Sequence, residues 1–149
     1  MKKRQQDKSK KFSYKDVERL IKTQLTGYVI LTGRAQRSLK KAEYDDPRLV
    51  WKAVELLKMY RRIPEDEFRQ RGRELGLDYQ KSSTDVTAGM YAEKYFVIYN
   101  GKRRKLEFHL TKGSAKEPRK CLRIYFFWDA DNKQVVIGHL PSHLNNSKT

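Results

Sequence analysis

Three histidines and a group of cations crowd the last third of the chain: His109, Lys112, Arg119, Lys120, Arg123, His139 and His143. Histidine exchanges a proton near neutral pH, and lysine or arginine holds a phosphate, arginine with a two-pronged grip. These residue types together supply what RNA cleavage without a metal needs: a base for the ribose 2′-hydroxyl, an acid for the leaving oxygen, and cations for the crowded phosphate. On that chemistry Arg123, His139 and His143 are the candidate catalytic residues. Lys112, Arg119, Lys120, His109 and Tyr125 are candidate nucleic-acid contacts. The same residues also admit a structural reading, with Arg123 paired to a carboxylate such as Asp129 or Glu107 and the histidines satisfied in core or surface. An enzyme requires His139 or His143 beside Arg123 in a concave site. A noncatalytic binder requires only a continuous cationic face with an exposed Tyr or Phe on which bases can stack.

The element that must position these groups is a hairpin. Residues 121–128 are a run of β-formers, 129–133 are turn-rich, and 134–139 form a second β-rich run. Alternation along the first strand puts Leu122, Ile124, Phe126 and Trp128 on one face and Arg123, Tyr125 and Phe127 on the other. Before it, residues 95–99 read as a strand closed by Asn100-Gly101, a strong hairpin signal, with 105–110 as its partner. The N-terminal half is helical. Ser13 and Asp16 form a capping box for a helix over 14–25, while Tyr28 to Leu31 is an apolar run open to either a strand or a helix start. A basic helix over 34–44 groups Arg34, Arg37, Lys40 and Lys41 at spacings of three and four, as a solvated face or as a nucleic-acid contact. Asp46 and Pro47 cap a helix reaching about residue 60, on which Trp51 reads as core, and a further helix over 64–75 stops at Gly76. Segregated helices and strands predict an α+β fold, N-terminal helices packed on a C-terminal four- to five-stranded antiparallel sheet.

Composition narrows the partner. The 149 residues are 38% hydrophobic and carry 34 Lys and Arg against 18 Asp and Glu, a net charge of +16. That is enough apolar content for a core and a charge that attracts polyanions, nucleic acid before an acidic protein. RNA is favoured by the histidine chemistry. Residues 1–12 are expected to be a disordered basic arm, 13–144 a single α+β domain, and 145–149 a flexible tail. Cys121 is the only cysteine, which excludes an internal disulfide and reads as a buried thiol. No run approaches the ~20 apolar residues of a membrane span, so a cytoplasmic location and no membrane partner are expected. No nucleotide-cradling glycine motif is present, the Asp129 turn lacks the glycine of a calcium loop, and Pro141 interrupts the His139 and His143 pair. No cofactor and no metal site are therefore expected.

A resemblance adds to this reading. From about residue 105 to 144 the chain resembles the end of the RelE/ParE toxin superfamily: Lys112 in a basic loop, RIYFFWD from Arg123, the acidic turn ADNK, the strand VVIGH, and a final His143. The resemblance implies a ribosome-dependent mRNA interferase, with Arg123 holding phosphate and His139 or His143 as acid or base. It also implies an acidic antitoxin as partner. The ending CLRIYFFWD…GHLPSHL is similar to that of uncharacterised bacterial proteins too, which names no activity.

Overall fold

The computed structural model describes residues 11–82, 92–114 and 116–144. Residues 1–10 and 145–149, most of the expected arm and all of the expected tail, lie outside the described residues. Phe12, assigned to the arm, is instead partly buried against the core with the Arg48 guanidinium 4.9 Å from its ring centroid.

Among the described residues four α-helices precede most of the sheet. Helix α1, Tyr14–Gln24, starts at the expected capping box: Ser13 accepts from the Asp16 backbone and Asp16 from the Ser13 backbone. Helix α2, Gly33–Lys40, is capped by the Thr32 side chain and ends earlier than expected. Helix α3, Pro47–Leu56, is capped by the Asp46 carboxylate and continues as a tighter turn over Leu57–Met59. Helix α4, Glu65–Glu74, opens on three acidic residues, and Gly76 beyond its end has φ +80°, which only glycine adopts freely.

The main sheet has five strands in the order β1, β7, β6, β5, β2: Val29–Leu31, Gln134–His139, Leu122–Asp129, Phe108–Lys112 and Asp78–Lys81. The strand count and the central hairpin are as expected. The sheet is not wholly antiparallel, because Val29–Leu31, within the apolar run open to either a strand or a helix start, forms a strand that runs parallel to β7. A parallel pairing needs no local turn, so nothing in the neighbouring sequence announces it. The second correction concerns the Asn100-Gly101 hairpin. Its strands are β3, Phe96–Tyr99, and β4, Lys102–Lys105, and they form a separate two-stranded ribbon. Asn100 and Gly101 both have positive φ, the two-residue turn that starts the return strand immediately, so the partner is 102–105 rather than 105–110.

Both faces of the main sheet are covered. Leu122, Ile124 and Phe126 pack with the helices into one core that includes Val17, Val50, Val54 and Phe68, and Trp51 and Trp128 lean on it from the edge. On the other face Tyr125, Phe127 and Val136 are buried under Tyr95, Val97, Leu106 and Leu144. Cys121 is buried, as expected. Among the described residues no helix is long and apolar enough to cross a membrane.

Candidate functional site

The sheet gathers the histidines by an irregularity. Along most of the β6–β7 ladder the register is regular, Trp128 opposite Val135, Phe127 opposite Val136 and Phe126 opposite Ile137. It then slips, so that Tyr125 faces His139 instead of Gly138. Without that bulge His139 would lie opposite Ile124 and point into the helix-side core. One inserted residue reverses its face, a known use of bulges beside functional sites. His109 flanks Tyr125 from the other neighbour, β5. The Tyr125 ring centroid lies 5.3 Å from that of His109 and 6.2 Å from that of His139.

The chain after β7 then doubles back over the start of β6. Leu140 donates to Ser38, and the Pro141 carbonyl accepts from the Arg123 backbone at 2.8 Å. Leu144 is held through both of its backbone polar groups: its N–H donates to the Tyr125 hydroxyl at 3.0 Å, and its carbonyl accepts from the Tyr95 hydroxyl at 2.9 Å. These bonds hold His143 on the face that carries Arg123, His109 and His139. All four side chains are half-buried, neither sealed in the core nor free in solvent.

The Arg123 guanidinium rests on the carbonyls of Lys112, Leu122 and Gly113 at 2.9 to 3.3 Å. Among the described residues no carboxylate is within ion-pair reach of it, so the pairing with Asp129 or Glu107 does not occur. Asp129 instead accepts from the Tyr99 hydroxyl and closes its own turn onto Asn132. A guanidinium with no carboxylate partner among the described residues is suited to an anionic ligand.

Electrostatics follow from this crowding. Burial, with Arg123 and His143 nearby, pushes His109 down to about 4. Burial, with Arg34, His143 and Lys94, pushes His139 down to about 4. His143 is lowered too, by burial and then Arg123. At pH 7 the rings are therefore neutral in the fold, able to accept a proton, and a bound phosphate would raise their affinity for one. His139 Nε2 is 2.8 Å from the Ser142 hydroxyl, whereas its Nδ1 is buried with no partner among the described residues. Of the two ring nitrogens, Nε2 is the one that meets a hydroxyl.

A stability prediction follows from the same shifts. Unfolding returns these rings to an ordinary value of 6.5, so between about 6.5 and 4 the unfolded chain binds more protons than the folded one. Stability should fall as pH drops through that window. Urea midpoints at pH 7 and pH 5 check it, and equal midpoints would show that the histidines are not desolvated.

The remaining expected residues divide. Arg34 and Arg37 of α2 line a shallow, open cleft of about 560 Å³ with Lys41, Glu93, Lys94 and His139, so the basic helix adjoins His139, while Arg123, His109 and His143 do not line it. Lys112 does not join them: its side chain lies against Gly76, at the negative end of α4. Lys120 pairs with Asp45 at 2.7 Å, and the Arg119 carbonyl accepts from the Asp45 backbone, tying both to the loop between α2 and α3. Tyr125 is 2% exposed and its hydroxyl is engaged, so its ring has no face on which a base could stack. Sequence reasoning missed Ser142, Lys94 and the cations of β4. The run Lys102 to Lys105 was visible as a basic tetrapeptide, but assigning 105–110 as the return strand hid it in a turn.

An α+β scaffold carrying a histidine and arginine cluster on one sheet face, beside a cationic cleft, is what the fold and site define. No protein-family model, no curated protein and no solved structure matches the chain.

Proposed function

We propose that the protein binds RNA across this face and cleaves it by histidine acid and base chemistry. The observation that carries the reading is the β6–β7 bulge, which turns His139 onto the face of Arg123, His109 and His143. In the proposed step one neutral histidine takes the ribose 2′-hydroxyl proton. The 2′-oxygen bonds to phosphorus, the bond to the 5′-oxygen breaks, and the second histidine, protonated in the presence of the phosphate, gives that oxygen its proton. The products are a 2′,3′-cyclic phosphate and a 5′-hydroxyl. Arg123 neutralises the phosphate, and His139 and His143 share the proton transfers. The net charge of +16 favours a polyanion at every stage. The resemblance of the C-terminal segment to RelE/ParE toxins makes the ribosome the place to look for activity and an acidic antitoxin the expected protein partner.

A noncatalytic nucleic-acid binder is the second reading, and one observation favours it: in the free protein all three histidines are pushed toward the neutral form, so none is ready as the acid. Labelled RNA incubated with the protein in EDTA, with and without ribosomes, separates the two. Cleavage that the Arg123→Ala/His143→Ala double variant loses is expected. Salt-sensitive binding without cleavage under either condition would leave the noncatalytic reading.

A further inference from the structure

The β3–β4 ribbon presents an outer face that neither core uses. Val97 turns inward, and Tyr99 reaches Asp129. The alternate residues Phe96 and Ile98 therefore point outward, opposite Lys105 and Arg103. Ile98 is 70% exposed, the one large apolar side chain so exposed among the described residues. The Arg103 guanidinium lies over the Phe96 ring, 3.5 Å from its centroid, and one of its nitrogens reaches Glu93 at 2.6 Å. Half of the Arg103 side chain is open to solvent. A guanidinium seated over an aromatic ring, with half of its side chain exposed, offers a surface on which an unpaired base can stack.

The ribbon is also continuous with the cationic cleft. Arg34, which lines the cleft, donates to the carbonyls of Phe96 and Lys94, and Glu93, on the cleft wall, holds Arg103. Lys102 and Lys105 add charge on the same strand, with no ion-pair partner among the described residues. The strip from the ribbon to His139 thus sets the cations Arg103, Arg34 and Arg37 beside Phe96 and Ile98, with the Glu93 carboxylate among them. A single strand offers both phosphates and free base faces, whereas a duplex hides its bases in the stack.

The geometry points to the Arg103 and Phe96 stack, with Ile98 beside it, as the platform that holds an unpaired base of single-stranded RNA while its backbone runs through the Arg34 and Arg37 cleft toward the histidines. This rests on the nucleic-acid reading above but not on cleavage. It also supplies the stacking surface that buried Tyr125 cannot.

The test is binding of a short, unstructured 2′-O-methyl oligoribonucleotide, which lacks the attacking hydroxyl, compared with its duplex and with polyglutamate. Arg103→Lys keeps the charge and loses the plane. Its binding to the single strand should weaken about tenfold, with the salt dependence of affinity and the duplex affinity unchanged. Arg103→Ala should weaken single-strand binding further and also make it less salt-dependent. Thermal melts of both variants confirm folding, which exposed Arg103 should not disturb. If Arg103→Lys binds the single strand like the parent, or loses single strand and duplex equally, the platform is overturned while the nucleic-acid reading stands. If the parent prefers polyglutamate or binds no oligonucleotide, both are overturned.

Discussion

Replacing His139 by alanine is expected to lower RNA cleavage by about 10²- to 10⁴-fold while leaving RNA affinity close to that of the parent. The ring sits where the bulge has aimed it, with Nε2 on the Ser142 hydroxyl and Nδ1 enclosed, so Nε2 is the nitrogen the proposed reaction would use. His139→Gln keeps a hydrogen-bonding group near Ser142 but cannot accept and return a proton, and it should be as damaging as alanine. The pH dependence supplies an independent reading. If His139 is the base, kcat/KM should rise with pH through its free-protein value of about 4 and fall again as the histidine that serves as the acid loses its proton, a bell rather than a plateau. The corresponding limb of kcat should lie higher, because a bound phosphate favours the charged ring. An alanine variant that cleaves at the parent rate would remove His139 from the chemistry and leave His143 and His109 to be tested in the same way.

Gly138→Val is expected to destabilise the fold by about 3 kcal/mol and to reduce cleavage more than the loss of stability explains. A Cβ at Gly138 would collide with the side chain of Leu106, which is fully buried, and would lie 3.1 Å from Val97 Cγ1. Leu106 and Val97 belong to the cluster that seats the β3–β4 ribbon on the sheet, so neither can retreat without lifting it. Gly138 is also the extra residue of the bulge that sets the face of His139, so a displacement of the strand there moves the histidine as well. Leu106→Ala would open the space at its own cost of about 2–5 kcal/mol. The double variant should therefore be less destabilised than the sum of the two single changes. Urea denaturation measures all three proteins. A Gly138→Val protein as stable as the parent, with unchanged activity, would mean that the ribbon does not pack as described.

Much of the framework was legible because it is written in local rules. The Ser13 and Asp16 capping box, Asp46 before Pro47, and Gly76 after the acidic-headed helix all act within a few residues of themselves, and each marks an observed boundary. The alternation of Leu122, Ile124 and Phe126 against Arg123, Tyr125 and Phe127 correctly divided the central strand between two faces. It did not show that the second face is also buried, since burial depends on what the rest of the chain lays over it. Here that is Tyr95, Val97, Leu106 and Leu144, brought from distant positions.

By itself, then, the sequence determined termini of the first, third and fourth helices, the central hairpin, the turn but not the return strand of the Asn100-Gly101 hairpin, the α+β class, and the supply of histidine and cation from which a site could be made. Only the tertiary structure decided which of them meet. A one-residue slip at Gly138 chooses the face of His139, and a ladder register is a property of two strands rather than of either. The parallel pairing of β1 with β7 carries α2, with Arg34 and Arg37, to the histidine side. Lys112 and Lys120, equally basic in sequence, are spent on a helix end and on Asp45. Charge and proton affinity are properties of a residue type, but convergence is a property of long-range packing, and pattern along one chain does not encode it.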